Sequence, residues 1–249
     1  MTEDRIALVT GAARGIGLGA AKALAVHHRV VLVDRDEEAL RTAVAEFPAG
    51  RAFALCVDLM AADAVKGLGD SVRKHWGDIS VLVNNAAISP KHNGRAQSLS
   101  EVQLDEWNSI LYVNVTVPML LAQEFAPGMK QAQWGRIINI SSRAGRSHSP
   151  SAGTGYMTSK AAILGLTRSL AGELAKFNIT ANSVAPGLVE TQLSSHISPE
   201  QMDRVRAMIP LNRAGLPSEL GASIAFLASE GAGFITGACL DVNGGALMC

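Results

Sequence analysis

Two side chains capable of proton transfer stand four residues apart in the sequence, at Tyr156 and Lys160. If this segment is helical, they lie one turn apart on the same face, so that an ammonium sits beside a phenol. Tyrosine ionises near pKa ~10 and is a poor base at neutral pH, but a neighbouring cation lowers that pKa. The spacing predicts a phenol that exchanges protons with an alcohol or a carbonyl, and Ser142 can offer a hydroxyl to the same oxygen.

The same spacing also arises by chance on many helices, and the start of the chain decides between the two interpretations. Residues 5–10 predict a short strand, the glycine turn 11–17 (Gly-Ala-Ala-Arg-Gly-Ile-Gly) follows at once, and a helical pattern then reaches about His27. Glycines permit a tight turn and a close approach to a pyrophosphate, whose charge a helix N-terminus favours. The spacing differs from the common Gly-x-Gly-x-x-Gly fingerprint, so the strand, turn and helix order carries the prediction of a dinucleotide site.

The second predicted strand, 29–33, ends in Asp34, seventeen residues after Gly17. An acid at this place accepts hydrogen bonds from the adenosine ribose of NAD and repels the extra phosphate of NADP. The sequence therefore favours NAD. Arg14 in the glycine turn and Arg35 after Asp34 keep NADP open, because both could face a 2′-phosphate.

Strand-like runs alternate with helical stretches along the whole chain, at 52–57, 79–83, 135–141, 179–185 and 238–242. Such alternation predicts a parallel sheet, and continuously apolar strands such as 30–33 indicate burial on both sheet faces. We expect an α/β fold in which residues 1–249 form a single doubly wound (Rossmann) domain, with a mostly parallel sheet, helices on both faces and the cofactor at the carboxyl ends of the strands.

Bulk composition excludes several classes of function. Lys plus Arg equals Asp plus Glu at 22 each, so no overall basic field attracts nucleic acid or a membrane surface. The three cysteines (Cys56, Cys239, Cys249) and six scattered histidines lack metal-ligand spacing, so no metal is expected, and an odd cysteine count favours a reduced cytoplasm. The chain enters its first strand almost at once, from which we expect neither a signal peptide nor a membrane span.

Taken together, the motifs resemble those of the short-chain dehydrogenase/reductase family over nearly the whole chain. The matching positions are Thr10 with Gly11 to Gly17, Asp58, Asn84-Asn85-Ala86-Ala87, Asn114, Ser142, Tyr156 with Lys160, and the segment Pro186-Gly187-Leu188-Val189-Glu190-Thr191. The resemblance also implies a seventh strand at the edge of a sheet ordered 3-2-1-4-5-6.

The resemblance implies a catalytic quartet of Asn114, Ser142, Tyr156 and Lys160. Tyr156 is then the acid and base, Ser142 orients the substrate oxygen, and Lys160 lowers the tyrosine pKa and binds the nicotinamide ribose. Asn114 holds a water that relays protons to Lys160. The residues predicted to contact the cofactor are Thr10, Gly11, Arg14, Gly15, Ile16, Gly17, Asp34, Arg35, Asp58, Leu59, Asn84, Ala86, Tyr156, Lys160, Pro186, Gly187, Val189 and Thr191.

Two departures from the family pattern stand close to the expected site. Ala87 replaces the usual glycine, which adds one methyl group beside the nicotinamide. The loop from Ser142 to Tyr156 is also about one residue longer than the usual spacing, which affects substrate contacts more than the quartet.

Apolar residues surround the helix of Tyr156 on most of its circumference, and the segment 107–119 has the same character. One sheet cannot cover such helices, so we expect contact with a partner subunit across a two-fold axis, unless other helices of the same chain cover them. The family resemblance favours a homotetramer.

The substrate is expected to be a small alcohol or carbonyl compound, and the loops that flank the cleft carry its only hint of charge. Lys91, Arg95, Arg143, Arg146 and His148 could bind an anionic group, or could be solvated loop residues. A substrate lid is expected near residues 188–213.

These patterns predict an oxidoreductase that moves hydride between a nicotinamide cofactor and a secondary alcohol or ketone, with NAD preferred. An alternative of the same fold is an NADPH-dependent carbonyl reductase, such as a 3-oxoacyl-carrier-protein reductase. An alternative of another class is a dinucleotide-binding sensor or scaffold without catalysis, because a fold alone does not give a function.

Overall fold

The computed structural model describes residues 5–61, 63–191 and 199–248, without the side chains of 199–201. The strands in that part of the chain are β1 (Ile6–Thr10), β2 (Arg29–Asp34), β3 (Ala52–Cys56), β4 (Val81–Asn84), β5 (Gly135–Ile140), β6 (Ile179–Pro186) and β7 (Cys239–Val242). The α-helices are α1 (Gly15–Leu24), α2 (Glu37–Val44), α3 (Ala64–His75), α4 (Leu104–Leu111), α5 (Val117–Ala132), α6 (Thr154–Leu174), α7 (Pro199–Ala207) and α8 (Pro217–Leu227).

The strands form one parallel sheet in the order β3-β2-β1-β4-β5-β6-β7, which confirms the predicted doubly wound topology and the seventh edge strand. Strand β1 lies between β2 and β4, with Ala7 opposite Val30 on one side and Val81 on the other. The strand order reverses here, and the chain leaves β1 and β4 toward opposite faces of the sheet. A crevice therefore opens at their carboxyl ends, where such sheets bind ligands.

Both faces of the sheet are covered by helices, as the continuously apolar strands require. Ala7 and Val9 of β1 pack with α1 and α8 in one buried cluster, whereas Ile6 and Leu8 pack with α3 and α5 in the other. All five residues of β1 are buried. The period of two along the strand thus divides its side chains between two hydrophobic layers.

The first helix is shorter than the sequence suggested. It ends at Leu24 instead of continuing to about His27, and the amides of His27 and His28 both donate to the Leu24 carbonyl. These bonds close a turn that directs the chain into β2 at Arg29. The helix α1 ends at Leu24 because β2 begins soon afterwards, at Arg29. The periodicity of apolar residues within a helix does not predict this limit.

One helical run in the described part of the chain, Leu104–Ala132, is long and apolar enough to cross a bilayer. Half of its most apolar window is buried inside the fold. Length and hydropathy do not distinguish such a core helix from a membrane span.

The expected lid falls partly outside the described residues, which omit 192–198. On its two flanks, Val189 forms a parallel bridge with Gly215, and α7 follows at Pro199. The bridge brings both ends of the segment 188–213 together beside the end of β6.

Candidate active site

The helix α6 presents Tyr156 and Lys160 to the carboxyl end of the sheet. Its buried side follows a helical spacing, and the buried residues are Gly155, Ser159, Lys160, Ile163, Thr167, Ala171 and Leu174. Lys160 lies within this stripe and is only 3% exposed, whereas Tyr156 is half-buried. The predicted one-turn separation is therefore present, with the lysine on the side that packs against the sheet.

The ammonium of Lys160 is held by the backbone at the end of a strand. Its Nζ donates a 2.7 Å hydrogen bond to the carbonyl of Ile140 and lies 5.7 Å from the centre of the Tyr156 ring. Burial disfavours the charged form and lowers the pKa of Lys160 to about 8. No other acceptor in the described part of the chain receives a bond from this ammonium, so two of its three N–H groups remain available to a ligand.

The environment of Tyr156 corrects one expectation from the sequence. Burial raises the pKa of this phenol above its ordinary value, and a hydrogen bond with Ser142 opposes that rise without reversing it. Lys160 was expected to lower the pKa, but its ammonium faces Ile140 and is itself desolvated. The Tyr156 phenol is therefore neutral at physiological pH in the free protein, and it carries the proton needed to reduce a carbonyl.

Ser142 starts a short 3-10 turn that holds its hydroxyl beside Tyr156. Its Oγ accepts a 3.1 Å bond from the amide of Ala144, which fixes the side-chain rotamer. The neighbouring Ser141 donates a 2.7 Å bond to the Lys160 carbonyl, and Gly145 packs against that carbonyl so closely that a Cβ would lie 2.3 Å from its oxygen. These contacts lock the loop after β5 onto α6.

Asn114 lies in a π-helical turn between α4 and α5, a local form found frequently at functional sites. Its Oδ1 accepts from the Ile88 amide at 2.8 Å, while its Nδ2 donates to the Ile88 carbonyl and to the Ser159 hydroxyl, both at 3.0 Å. Both N–H groups of the side chain are thus used within the protein. The Asn114 side chain joins the loop after β4 to α6, which leaves a water-holding role to its backbone carbonyl.

The glycine turn is tied to the end of β4 through Thr10. Its hydroxyl accepts hydrogen bonds from the amides of Asn85 and Ala86, both at 3.0 Å. In return, Asn85 Nδ2 donates to the carbonyls of Thr10 and Gly11 at 2.8 and 3.0 Å. The first and fourth strands therefore present one continuous rim of backbone at the crevice.

The shape of this turn suits a pyrophosphate. Gly11 has a φ of +63°, and a Cβ on Gly17 would lie 2.1 Å from the Gly11 carbonyl oxygen, so neither position accepts a larger residue. Arg14 precedes α1 with extended backbone, and no side chain caps the first turn. The free N–H groups of α1 are consequently available to an anion.

At the end of β2, the Asp34 carboxylate is held by backbone amides. Its Oδ2 accepts from Ala13 at 3.2 Å, and its Oδ1 accepts from Arg35 at 2.8 Å and Asp36 at 3.2 Å. A carboxylate has about four acceptor positions, so one remains for a ribose hydroxyl. Arg14 forms an ion pair with Asp36, and the Arg35 side chain is exposed.

The remaining predicted cofactor residues occupy the same edge of the sheet, with one difference. Asn84 is 4% exposed, and its Nδ2 donates to Asn139 at 2.8 Å, so its amide faces the sheet interior. Ala87 is exposed and has no positive φ, which means that its extra methyl group introduces no backbone strain. The other predicted positions follow the strand ends or the glycine turn, at Gly15, Ile16, Asp58, Leu59, Ala86, Pro186, Gly187, Val189 and Thr191.

Most cations of the flanking loops have partners within the protein. Lys91 donates to the Ser151 carbonyl, Arg95 forms a bidentate pair with Glu101 at 2.6 and 2.8 Å, and Arg146 pairs with Asp241. Arg143 forms no side-chain hydrogen bond or ion pair with any described residue. The hypothesis of an anionic substrate therefore depends on Arg143.

A cleft beside Tyr156 was not among the sites predicted from the sequence. The Oε1 atom of Gln97 in this cleft is buried and has no hydrogen-bond partner. No periodicity marks Gln97 or its neighbours, because they belong to an irregular loop. The residues that line the cleft are Ser89, Pro90, Gln97, Val102, Glu106, Ile110, Gly153, Thr154, Gly155 and Tyr156.

Comparison with known proteins agrees with this geometry. The profile of the family described as Enoyl-(Acyl carrier protein) reductase matches residues 11–246. The 3-oxoacyl-[acyl-carrier-protein] reductase FabG of Vibrio harveyi is 34% identical over 246 residues, covering 99% of this chain and 98% of the relative. The Nodulation protein G of a Rhizobium species (strain N33) is 37% identical over 245 residues, covering 98% and 97%.

A crystal structure of a 3-oxoacyl-[acyl-carrier protein] reductase with bound NAD from Brucella melitensis superposes with a TM-score of 0.90. It shares 33% sequence identity, and the match covers 100% of this chain and 93% of that one. The chain therefore belongs to the short-chain dehydrogenase/reductase family, whose members are oxidoreductases that use NAD or NADP.

Proposed function

We propose that this protein is an NAD-preferring oxidoreductase that interconverts a secondary alcohol and a ketone, with Tyr156 as its acid and base. The observation that carries the proposal is the position of the Tyr156 phenol, which is hydrogen-bonded to Ser142 and lies beside the buried ammonium of Lys160. This group stands at the same edge of the sheet as the glycine turn. A proton donor and a dinucleotide site thus share one crevice.

In the direction of reduction, neutral Tyr156 gives its proton to the carbonyl oxygen, which Ser142 holds by a hydrogen bond. In oxidation, the proton moves from the alcohol to the phenolate. The Lys160 ammonium has two further N–H groups, which we assign to the nicotinamide ribose. Asn114 positions the loop after β4, and its backbone carbonyl is the proposed water contact.

The dinucleotide would be held by the glycine turn, the N-terminus of α1 and the rim formed by Thr10, Asn85 and Ala86. The nicotinamide accepts or supplies the hydride when bound. We assign the adenine end to Asp34, Asp58 and Leu59. The nicotinamide end falls to the segment after β6, at Pro186, Gly187, Val189 and Thr191.

The preference for NAD rests on charge. Asp34 keeps a free acceptor position for a ribose hydroxyl and places a negative charge where NADP carries its extra phosphate. Arg14, which could have offset this charge, is paired with Asp36. The Arg35 side chain is exposed and could meet the 2′-phosphate of NADP, so a preference for NADP is the competing outcome.

The second candidate is a reductase of 3-oxoacyl groups carried by an acyl carrier protein, with NADPH as the reductant. The name of the FabG relative, which is 34% identical over nearly its whole length, favours it. Arg143 would be free to meet an anionic carrier or substrate. This candidate uses the same quartet and differs in cofactor and substrate.

We further propose that the protein assembles as a homotetramer in the cytoplasm. The outward face of α6 consists largely of small exposed residues, among them Ala161, Ala162, Gly165 and Gly172. Small residues at these positions permit another helix to approach closely, and Arg168 is the long side chain among them. Cys56 and Cys239 form no disulfide in the described part of the chain, which suits a reducing compartment.

One experiment separates these possibilities. The purified protein is assayed with a panel of secondary alcohols, ketones and a 3-oxoacyl thioester, with each dinucleotide, by the absorbance of the reduced nicotinamide. Turnover of simple alcohols with NAD supports the first candidate, and selective reduction of the thioester with NADPH supports the second. Binding of dinucleotide without turnover of any substrate, with the Tyr156→Phe variant as the blank, would favour the sensor or scaffold.

A further inference from the structure

Asp36, between β2 and α2, stands next to the predicted ribose site and was not among the residues singled out from the sequence. It is the N-cap of α2, where its Oδ1 accepts a 3.0 Å bond from the amide of Ala39. Its Oδ2 forms an ion pair with the guanidinium of Arg14 in the glycine turn. Asp36 therefore caps the N-terminus of α2 and also forms an ion pair with Arg14 of the glycine turn.

The location of this ion pair follows from the bonds of Asp34. Its carboxylate accepts from Ala13 in the glycine turn and from the amide of Asp36 in the next loop. The Arg14–Asp36 pair spans the same gap between the two loops. Two carboxylates and one guanidinium are thus gathered where the adenosine ribose is expected.

We propose that Asp36 is a second determinant of cofactor choice, which pairs with Arg14 and so keeps that guanidinium from the 2′-phosphate of NADP. The inference rests on the proposed NAD preference of the site. A phosphate monoester carries about −1.5 to −2 charges and binds a guanidinium bidentately. A 2′-phosphate would therefore compete with Asp36 for Arg14 and would lie close to two carboxylates.

Asp36 also removes a second means of binding phosphate. The amide of Ala39 belongs to the first turn of α2, where free N–H groups would otherwise favour an anion. The Asp36 carboxylate already occupies this donor. Backbone and side-chain donors for a 2′-phosphate are consequently taken by the same residue.

The Asp36→Ser variant isolates the charge, because serine is also a good N-cap and preserves the start of α2. We expect Asp36→Ser to tighten the binding of NADPH about tenfold while the Kd of NADH changes less than about threefold. Fluorescence titration of the reduced nicotinamide measures both constants without turnover. Asp36→Asn, which also caps helices, serves as the second variant if the serine variant unfolds.

The matched control is the same substitution in an Arg14→Ala background. If Asp36 acts mainly through Arg14, the effect of Asp36→Ser on the Kd of NADPH becomes several-fold smaller once Arg14 is absent, because only direct repulsion between the carboxylate and the phosphate is then relieved. An equal effect in both backgrounds, or an unchanged NADPH to NADH ratio in the single variant, overturns the proposal. A parent that already binds NADPH better than NADH contradicts the proposed NAD preference instead, since the inference concerns the change in the ratio.

Discussion

The ammonium of Lys160 donates a 2.7 Å hydrogen bond to the carbonyl of Ile140, the last residue of β5. The end of the central sheet therefore sets the position of the charge, one helical turn from the Tyr156 phenol. Because the side chain is buried, keeping this charge opposes folding. The stability of the protein must then depend on pH in a way that reports on Lys160.

The Lys160→Met variant tests this buried charge. Below pH 8 the lysine is protonated in the folded and unfolded chains, and the full cost of burying it is present. Between pH 8 and 10.5 the folded chain loses this proton first, so the free energy of unfolding of the parent rises with pH. Lowering the pKa from 10.5 to about 8 corresponds to ~3 kcal/mol, whereas methionine has no such dependence.

We expect Lys160→Met to be at least as stable as the parent at pH 7 and to lose that advantage by pH 9.5, measured by urea denaturation. The same variant should bind NADH more weakly and turn over far more slowly. A parent whose stability relative to the variant does not rise from pH 7 to 9.5 contradicts the burial argument. An unchanged Kd for NADH refutes the ribose contact.

Tyr156→Phe removes the proton-transferring hydroxyl and little else. We expect turnover to fall by about 10²- to 10⁴-fold while the Kd of the dinucleotide stays within about twofold. Steady-state kinetics and fluorescence titration measure the two quantities. Turnover within a few fold of the parent would remove Tyr156 from the chemistry.

Replacing Asp34 tests the cofactor preference directly. Asp34→Ala should weaken the binding of NAD and reduce the difference in kcat/KM between NAD and NADP, since it removes a ribose acceptor and a repulsive charge together. Asp34→Asn is the matched control, because it removes the charge, retains one acceptor oxygen and replaces the other with an NH2 donor. Paired kcat/KM values for NAD and NADP, measured for the parent and both variants, check this prediction. A parent that prefers NADP shows that the assignment of Asp34 to an NAD preference is wrong.

Arg143 provides the test for an anionic substrate. We expect Arg143→Ala to weaken the binding of acidic substrates by ~1.5 to 3 kcal/mol, which is measured as a higher KM. The KM for neutral alcohols should hardly change. Arg95→Ala is the control, because Arg95 is exposed and already paired with Glu101. Equal losses on acidic and neutral substrates, or a best substrate without charge, would end the hypothesis.

The proposed tetramer is tested on the outward face of α6. Gly165 is exposed and has open space around its Cα, so Gly165→Arg should leave the isolated subunit folded. We expect a smaller assembly by light scattering coupled to size-exclusion chromatography. Gly67→Arg on α3, equally open, is the matched control and should keep the parent mass. An unchanged mass for Gly165→Arg excludes this face as the interface.

The fold could be predicted in detail because its signals are local and repeated. The run from Val30 to Val33 is apolar and is followed by an acid, and the glycine turn at 11–17 leaves few conformations to the backbone. Strand ends were displaced by only a residue or two. The sheet order then followed from rules of connection that hold for parallel sheets in general.

The electrostatics of the site could not be predicted in the same way. The pKa of Tyr156 depends on how deeply its ring is buried and on where the Lys160 ammonium points, and spacing along a helix reports neither. Likewise, Arg14 was expected to be available to phosphate, but its partner Asp36 is 22 residues away in sequence. An ion pair between two loops depends on the tertiary structure, and the spacing of the two residues in the sequence does not predict it.

The hydroxyl of Thr10 reaches the amides of Asn85 and Ala86 across 75 and 76 positions of sequence. The nucleotide turn thus obtains its final shape from a segment that leaves the ribosome much later. An emerging chain that ends before β4 has the glycines but not the rim that holds them. Contacts of such long range slow folding, and the capacity to bind a dinucleotide should therefore appear late in synthesis, after β4 has joined β1.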